Sequence, residues 1–267
     1  MEIAGSVVVI TGGGSGIGRA LADSFAADGA RVVVGDIDEA GAAETAARIR
    51  AAGGAAAALR ADAADIEHIE ALITLAGQEF GPVDIYVANA GIMGAPELGT
   101  DADWDRILDV NLRAHVRAAR LLVPHWRSRG AGHFVAVASA AGLLTQLGAA
   151  GYAVTKHAAV AFAEWLAVTH GDDGVGVSCV CPMGVETPLL QAIRDSPDRS
   201  ARVAANAVLR AGGVVTPEHV AAMTVDAVRQ GGFLVLPHPE VLDMYRGKGA
   251  DYDRWIAGMQ RYRRSLE

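Results

Sequence analysis

The sequence alternates between short, almost wholly apolar runs and longer Ala-rich stretches in which apolar residues recur with helical spacing. A strand buried on both faces of a sheet has this continuous apolar character. A helix that packs on one side carries an apolar stripe opposite its charges. Strict alternation of strand and helix predicts a parallel sheet with helices on both faces. We therefore predict a doubly wound α/β fold of about seven strands.

The same pattern places the individual elements. The predicted strands are Ser6–Thr11, Arg31–Asp36, Ala56–Arg60, Val83–Ala88, His133–Ser139, Val175–Cys181 and Phe233–Leu236. The predicted helices are Gly16–Ala27, Glu39–Ala52, Ile66–Phe80, Asp103–Arg129, Tyr152–His170 and Pro217–Gln230. No linker, internal repeat or low-complexity tract interrupts this order.

Two segments depart from the alternation. Segment 187–213 contains Ser-Pro-Asp and Gly-Gly between short helical pieces, and we predict a substrate loop there, since long excursions of this kind are often functional. The tail, 238–267, is predicted to be a loop followed by an amphipathic helix. In that helix Trp255, Met259 and Tyr262 recur at i, i+4 and i+7, which favours packing or a subunit contact over a direct ligand wall.

Length and charge limit the classes of function. A chain of 267 residues, about half of them hydrophobic, fits a single domain spanning 1–267. The net charge of −8 predicts no attraction to nucleic acid or to an anionic membrane surface. The first apolar run, Val7–Ile10, is too short for a signal peptide or a membrane span, so we expect a cytoplasmic protein. Neither the eight histidines nor Cys179 and Cys181 show metal-ligand spacing, and no metal site is expected.

A glycine-rich turn joins the first predicted strand to the first predicted helix. It contains Gly12, Ser15, Gly16, Ile17 and Gly18. Glycine allows positive φ angles and lets backbone amides approach an anion closely, and a pyrophosphate there would lie at the positive end of the helix. The Gly-x-x-x-Gly-x-Gly spacing differs from the Gly-x-Gly-x-x-Gly fingerprint. A tight turn without a ligand is the alternative, and the position between strand and helix favours the phosphate site.

The end of the second predicted strand carries Asp36. A carboxylate there can accept hydrogen bonds from both ribose hydroxyls of an adenosine and would repel a 2′-phosphate. The next residue is Ile37, and the glycine turn carries Ser15, so no basic side chain stands ready for that phosphate. These residues favour NAD(H) over NADP(H). A helix N-cap carboxylate is the alternative interpretation of Asp36.

Tyr152 and Lys156 are four residues apart in a predicted helix, so both side chains can reach one ligand. The pKa of a free tyrosine, about 10, makes it a poor base near neutrality. A neighbouring ammonium and a positively charged nicotinamide would both lower that pKa. The chain has only two lysines, Lys156 and Lys248. A lysine that persists in such an Arg-rich chain hints at a role that arginine cannot fill.

In their order along the chain, these motifs resemble those of the short-chain dehydrogenase/reductase family in its small single-domain form. The resemblance covers about Gly5 to Thr187. It rests on Thr11-Gly12-x-x-x-Gly16-Ile17-Gly18, Asp62, Asn89-Ala90-Gly91, Asn111, Ser139 and Tyr152-x-x-x-Lys156. It implies a Rossmann-type fold and an NAD-dependent oxidoreductase that acts on CH–OH groups.

The resemblance also implies four catalytic residues. Tyr152 would act as general acid and base, and Ser139 would hydrogen-bond the substrate oxygen. Lys156 would hold the nicotinamide ribose as well as favour the phenolate. Asn111 would organise a water and proton path towards Lys156. Taken singly, such residues are more often a packing tyrosine, a capping serine and a locally bonded asparagine, and it is their joint spacing that favours catalysis.

The cofactor contacts are carried over in the same way. Asp62 and Ala63 would meet the adenine ring, and Asn89-Ala90-Gly91 would shape the wall on the adenosine side. The segment from Pro182 to Thr187 is similar to the family's segment along the nicotinamide, in which Val185 and Thr187 would hold the carboxamide. With the glycine turn, the complete predicted cofactor set is Gly12, Ser15, Gly16, Ile17, Gly18, Asp36, Ile37, Asp62, Ala63, Asn89, Ala90, Gly91, Tyr152, Lys156, Pro182, Val185 and Thr187.

The predicted substrate side is apolar. It comprises Met93, Ser139, Leu147, Tyr152, Met183 and Leu189, with Ile92, Leu143, Leu190 and Ile193 beside them. No clustered arginine for a phosphate or carboxylate is expected there. We predict a hydrophobic secondary alcohol or ketone as the substrate.

Two other functions remain open. One is a reductase of 3-oxoacyl groups on an acyl carrier protein, although such enzymes usually prefer NADPH, and Gly231–Pro237 departs from their usual ending. The other is a catalytically silent NAD-binding or redox-sensing protein on the same fold. The family resemblance also implies a homodimer or homotetramer built on the predicted helices Asp103–Arg129 and Tyr152–His170.

Overall fold

The structure, a computed structural model, describes residues 1–266 and contains one large parallel sheet. Its strands are β1 (Val7–Thr11), β2 (Arg31–Asp36), β3 (Ala55–Arg60), β4 (Ile85–Ala88), β5 (Gly132–Val137), β6 (Val175–Val180) and β9 (Leu234–Val235). They lie in the order β3-β2-β1-β4-β5-β6-β9. The short strands β7 (Gly184–Val185) and β8 (Val214–Val215) pair separately. The predicted doubly wound α/β fold of about seven parallel strands is confirmed.

Eleven α-helices are described within residues 1–266. They are α1 (Gly16–Ala27), α2 (Glu39–Ala51), α3 (Ile66–Glu79), α4 (Asp101–Leu108), α5 (Ala114–Arg129), α6 (Ala150–His170), α7 (Pro188–Arg194), α8 (Arg199–Ala211), α9 (Pro217–Gln230), α10 (Glu240–Ala250) and α11 (Tyr252–Leu266). None of these helices is long and apolar enough to cross a membrane.

Successive residues of β1 pack on opposite faces of the sheet. Val7 and Val9 belong to the core that α3, α5 and α6 cover, whereas Val8 and Ile10 belong to the core that α1, α2 and α9 cover. Burying one such side chain stabilises the fold by about 1.5–3 kcal/mol. Because both faces of the sheet are buried, most strand positions carry an apolar residue, and this requirement produces the runs seen in the sequence. The buried polar side chains of His133 on β5 and Ser178 on β6 are hydrogen-bonded to each other at 2.9 Å.

The strand order reverses at β1, which lies between β2 and β4. The connections to either side of β1 therefore run in opposite directions, and a crevice opens beyond the carboxyl ends of β1 and β4. Val8 pairs with Ile85 and with Val32, so β1 is held on both edges. The crevice is the place where a fold of this kind binds a ligand.

The predicted helix Asp103–Arg129 is wrong in detail, because the chain forms α4, a π-helical turn over Asp109–Arg113, and then α5. The helix also begins earlier than predicted. Thr100 and Asp103 cap each other's backbone amides in a capping box, which fixes the start. A π turn adds a residue to one helical turn and is frequent at functional sites. A pattern with a period of 3.6 residues does not reveal it.

Both irregular segments are more ordered than predicted. Segment 187–213 is largely helical as α7 and α8, whose first turns are capped by Thr187 and Asp198. The loop at the start of the tail is only two residues long, His238 and Pro239, before α10 begins at Glu240, and α11 follows after Asp251. Glu267, the last residue of the predicted tail, lies outside the described residues.

Candidate active site

A cleft at the carboxyl edge of β1, β2, β4 and β5 contains every residue predicted to bind the cofactor. We call it the nucleotide cleft. Its walls include Gly12, Ser15, Gly16, Ile17, Gly18, Asp36, Ile37, Asp62, Ala63, Asn89, Ala90, Gly91, Tyr152, Lys156, Pro182, Val185 and Thr187. Parallel strands place their carboxyl ends at one edge, so residues far apart in the sequence meet there.

The glycine turn forms a cradle that side chains would fill. A Cβ atom at Gly18 would lie 2.0 Å from the carbonyl oxygen of Gly12, and Gly12 itself has a φ of +64°. Ser15 is the N-cap of α1, and the first turn of that helix has no acidic residue. The positive end of the helix therefore faces the cleft with no carboxylate from its own first turn beside it. This arrangement fits a pyrophosphate.

Asn89 fastens the glycine turn to the end of β4. Its Nδ2 donates to the carbonyl oxygens of Thr11 (2.9 Å) and Gly12 (3.0 Å). Its backbone N–H donates to Thr11 Oγ1 at 3.1 Å, and that of Ala90 does so at 3.2 Å. These bonds join the two strands on either side of the crevice, so the turn keeps its shape without help from a ligand.

Asp36 faces the cleft from the end of β2. Its Oδ2 accepts the backbone N–H of Gly14 (2.8 Å), and its Oδ1 accepts that of Asp38 (2.9 Å). The N-cap residue of α2 is Asp38 rather than Asp36, so the alternative interpretation of Asp36 as a helix cap does not apply. A carboxylate has about four lone-pair positions, which leaves acceptors for ribose hydroxyls.

The wall beyond Asp36 contains a cation that the sequence analysis missed. Asp62 accepts the backbone N–H of Ala64 (2.9 Å), and its Oδ2 lies 3.3 Å from the guanidinium of Arg106. Arg106 also lines the cleft. It comes from α4, and nothing in the local sequence indicated that this helix folds over the end of β3.

Asn111 lies on the π turn and is completely buried. Its Oδ1 accepts the backbone N–H of Ile92, while its Nδ2 donates to the Ile92 carbonyl, both at 2.9 Å. A third bond runs to Thr155 Oγ1 at 3.2 Å. The carboxamide thus ties the loop after β4 to α6 rather than forming part of the cleft wall. A Cβ at Gly91 would lie 3.4 Å from Lys156 Nζ and 3.5 Å from Asn111 Oδ1.

Ser139 lies two residues beyond β5, because that strand ends at Val137 and not at Ser139 as predicted. Its hydroxyl accepts the backbone N–H of Ala141 (3.1 Å) and lies 3.4 Å from the carbonyl of Pro182. It therefore caps a single 3-10 turn and also lines the cleft. Because the capping hydrogen bond holds the Ser139 hydroxyl in place, it also fixes the position of that hydroxyl in the cleft wall.

Tyr152 and Lys156 lie one turn apart on α6 and are 9% and 4% exposed. Lys156 Nζ donates to the carbonyl of Val137 at 2.9 Å and lies 5.7 Å from the centre of the Tyr152 ring. An ammonium has three donors, and the strand fixes one of them. Ser139, Tyr152 and Lys156 thus share one wall of the nucleotide cleft.

Burial is the largest cause of the pKa shifts of Lys156 and Tyr152. It lowers the pKa of Lys156 to about 8, although the thiols of Cys181 and Cys179 act in the opposite direction. Burial raises the pKa of Tyr152, and the Ser139 hydroxyl opposes that rise. The lowered phenol pKa expected from the sequence is therefore not a property of the chain alone. Desolvation outweighs the neighbouring polar groups.

A second cavity, of about 790 Å³, adjoins the nucleotide cleft. We call it the outer chamber. The cleft and the chamber share Ser139, Gln146, Met183 and Val208. Met93, Tyr152 and Leu189 face the cleft, and Leu147 faces the chamber, so the predicted substrate residues are divided between the two.

Two expectations about the substrate side need correction. Leu143 lines neither cavity, because it is buried in the core beneath α6. Arginines do cluster there. Arg210, Arg254 and Arg261 line the outer chamber, although the sequence indicated none, because the fold brings them from α8 and α11 to the far side of Ser139.

The aromatic stripe of the tail both packs on the rest of the chain, as predicted, and borders a cavity. Trp255, Met259 and Tyr262 line the outer chamber. Tyr262 packs as well, since its hydroxyl donates to the carbonyl of Ala207 at 2.8 Å. A repeat of apolar residues shows that a helix face is covered but does not show what covers it.

His238, at the start of the tail, is a positioning residue that the sequence did not reveal. It is 2% exposed, and its Nδ1 lies 3.1 Å from the backbone nitrogen of Met183. Its Nε2 lies 3.1 Å from the carbonyl of Gly184 and 3.0 Å from that of Gly213. These partners require a neutral ring with the proton on Nε2. They fix the path of Met183 between the cleft and the chamber.

Comparison with known proteins agrees with this geometry. The profile of the family described as short chain dehydrogenase matches residues 6–198. The 3beta-hydroxysteroid dehydrogenase 1 of Eggerthella lenta is 35% identical over 83% of this chain and 85% of its own. The cis-4-hydroxycyclohexanecarboxylate dehydrogenase of Sinomonas cyclohexanicum is 35% identical over 80% and 86%. A short-chain dehydrogenase/reductase from Burkholderia phymatum, crystallised with NAD, has a TM-score of 0.86 at 32% identity, covering 95% and 96% of the two chains.

The buried ammonium predicts that Lys156 lowers the stability of the fold. Lys156→Met should raise the free energy of unfolding at pH 7 by about 1–3 kcal/mol, because the folded state no longer desolvates a charge. Between pH 8 and 10.5 the unfolded wild-type chain keeps a proton that the folded chain has lost. Wild-type stability therefore rises with pH in that window, and the advantage of the variant should shrink. Urea unfolding at pH 7 and at higher pH measures both effects.

Lys248→Met is the matched control. That substitution removes two hydrogen bonds, to the carbonyls of Leu143 and Leu144, so it should lower stability at pH 7. If Lys156→Met does not raise the free energy of unfolding, or if the increase does not change with pH, then the buried ammonium of Lys156 does not destabilise the fold.

Proposed function

Because the chain belongs to the short-chain dehydrogenase/reductase family, and is therefore an oxidoreductase, we propose that it transfers hydride between NAD(H) and a hydrophobic secondary alcohol or ketone. The observation that carries this proposal is the position of Ser139, Tyr152 and Lys156 on one wall of the nucleotide cleft, next to a large apolar chamber. The named activities of the two curated relatives, on a hydroxysteroid and on a hydroxycyclohexane acid, support a ring-bearing alcohol.

In alcohol oxidation, Tyr152 takes the hydroxyl proton of the substrate, and in ketone reduction it returns that proton. The bound nicotinamide supplies the hydride acceptor or donor, so the alcohol loses a hydride and a proton in all. Ser139 donates to the substrate oxygen and keeps it beside the phenol. Lys156, whose ammonium is already held by Val137, favours the phenolate through its charge.

Asn111 contributes to the reaction indirectly, through the groups that it holds in place. By holding both backbone groups of Ile92 and the hydroxyl of Thr155, it sets the distance between the loop after β4 and the helix of Tyr152. In our proposal it keeps an opening beside Lys156, through which a proton reaches water. Asn111 is thus a positioning residue for the reaction.

Removal of the phenol hydroxyl tests the mechanism. Tyr152→Phe should reduce kcat for any accepted alcohol by about 1,000-fold or more, since general acid–base catalysis of this step is lost. NADH binding, followed by its fluorescence, should change little. Tyr245→Phe, at a tyrosine that is 41% exposed on α10, is the control and should keep full activity.

A wild-type protein that binds NADH but oxidises no secondary alcohol across an aliphatic, cyclic and aromatic panel would instead favour the silent NAD-binding function. Turnover by Tyr152→Phe would contradict the role given to the phenol. Activity restricted to 3-oxoacyl groups on a carrier protein would favour the reductase alternative.

The carboxylate of Asp36 carries the choice of NAD(H) in our proposal. The double variant Asp36→Ser, Ile37→Arg replaces a repelling anion with a guanidinium that suits a 2′-phosphate. We expect the ratio of kcat/KM for NADP⁺ to that for NAD⁺ to rise about 100-fold, which corresponds to two charge-assisted hydrogen bonds. Initial rates with both cofactors measure it. Ile66→Arg, which adds the same charge at another exposed isoleucine, should leave the ratio unchanged. An unchanged ratio in the double variant would remove Asp36 from the cofactor site.

We further propose that the chain forms a homodimer or homotetramer through α6 and the α4–α5 segment. Val154, Trp165 and Val168 are exposed on α6 by 49%, 55% and 87%. Their spacing places them on one side of the helix. An exposed apolar stripe of this kind is typical of a protein–protein contact.

Sedimentation velocity tests the assembly. Trp165→Glu should shift the protein to a smaller species, because a charge would be buried in the contact. Tyr245→Glu, on the surface of α10, should leave the sedimentation coefficient unchanged. A monomeric wild-type protein at micromolar concentration would contradict the proposal.

A further inference from the structure

The outer chamber is much larger than a small alcohol requires. Its volume of about 790 Å³ falls within the range of about 300–1,000 Å³ that is usual for drug-sized ligands. Ser139 and Met183 lie on its inner side, and α8, α10 and α11 form its outer side. A substrate whose carbinol lies at Ser139 therefore extends away from the sheet, towards the tail.

The middle of the chamber is apolar. Its aliphatic and aromatic walls are formed by Leu144, Leu147, Met183, Met244, Trp255 and Met259. Thioethers adapt their shape to a ligand, and an indole offers a broad apolar face. This part of the chamber suits a bulky hydrocarbon framework.

The rim has the opposite character, because Arg210, Arg254 and Arg261 line the chamber with exposed side chains. The guanidinium groups of Arg254 and Arg261 form no ion pair with any residue in 1–266. Asp251, the one acidic residue of the rim, accepts the backbone N–H of Arg254 at 2.9 Å. The rim is thus cationic on a protein whose net charge is −8. By contrast, the guanidinium of Arg246 on α10 is paired with Asp243.

Lys248 fastens this rim to the catalytic side of the molecule. It is 5% exposed, and its Nζ donates to the carbonyls of Leu143 and Leu144, both at 2.8 Å. Its ammonium also lies 5.1 Å from the centre of the Trp255 ring. These contacts bind α10 and the start of α11 to the loop after Ser139, so the helix that carries Arg254 and Arg261 is anchored to the catalytic side of the molecule.

From this arrangement we propose that the substrate is a bulky apolar secondary alcohol, or its ketone, that carries a carboxylate remote from the carbinol carbon. Arg254 and Arg261 bind that carboxylate at the rim of the outer chamber. Guanidinium groups match the geometry of a carboxylate, while the nearby Asp251 disfavours a polyanion such as a phosphate ester. The proposal rests on the proposed alcohol dehydrogenase function and adds to it the class of substrate.

Binding and turnover are measured separately with matched ligands. The probes are a tetracyclic steroid 3-alcohol with a side-chain carboxylate and its methyl ester, and 4-hydroxycyclohexanecarboxylate and its methyl ester. Calorimetry uses the complex of the protein with NADH, in which an alcohol binds without reacting. The wild type should bind at least one of the acids about tenfold more tightly than its ester, as expected for one hydrogen bond to a charged group. This preference should shrink as salt is added.

The double variant Arg254→Gln, Arg261→Gln should lose the preference for the acid and bind the ester as the wild type does. With NAD⁺ it should show an increase of about tenfold in KM for the acid at unchanged kcat, since the substituted residues line the outer chamber and not the nucleotide cleft. Arg246→Gln is the control, because it removes an exposed guanidinium of the same tail outside the chamber, and it should keep the preference. Thermal unfolding confirms that each variant is folded.

The outcomes separate the two proposals. If the acid binds more tightly than the ester but neither is turned over, the carboxylate site at the rim is supported and the proposed dehydrogenase function is wrong. If acid and ester are turned over with equal KM, the proposed dehydrogenase function is supported and the carboxylate site at the rim is wrong. If neither pair shows a preference for the acid in calorimetry, or if the double variant keeps the preference, the proposal is wrong.

Discussion

Burial of both faces of the parallel sheet is the constraint on which the rest of the structure depends. It requires apolar residues along every strand, as the alternating cores beneath Val7 to Ile10 show. The polar groups of the nucleotide cleft are thereby placed at the carboxyl edge, where strands end and backbone amides become available. The glycine turn, Asp36, Asn89 and Ser139 all lie at that edge. One hydrophobic requirement therefore assembles the site.

At that edge, burial of the Lys156 ammonium costs folding free energy, because the charge loses its hydration. The ammonium is almost completely buried, and burial lowers its pKa to about 8. The strand offers it a single carbonyl, that of Val137, which compensates for only part of the lost hydration. Burial also raises the pKa of Tyr152. Burial thus favours the neutral form of both groups.

Short spacing and strand order were sufficient to predict the elements and residues that local geometry fixes. Tyr152 and Lys156, four residues apart, share a face of whichever helix carries them, and the glycine turn is placed by the strand and the helix that flank it. Spacing and strand order were not sufficient where packing changed local structure. The π turn that carries Asn111 interrupts an otherwise regular pattern, and Ser139 lies beyond its strand as a cap. The pKa of Tyr152 depends on burial, which a sequence does not contain.

The C-terminal tail shows most clearly the difference between what the sequence determined and what only the tertiary structure decided. The sequence by itself determined the doubly wound sheet, the glycine turn between β1 and α1 and the spacing of Tyr152 with Lys156, since these follow from periodicity and local backbone geometry. Only the tertiary structure decided that the tail walls the outer chamber. Lys248 on α10 meets the carbonyl of Leu143 across 105 residues of sequence, and α11, which follows α10 and is bonded to α8 through Tyr262, brings Arg254 and Arg261 to the chamber. Long-range packing of this kind leaves no periodic trace in the chain, because it depends on which surfaces become neighbours after folding.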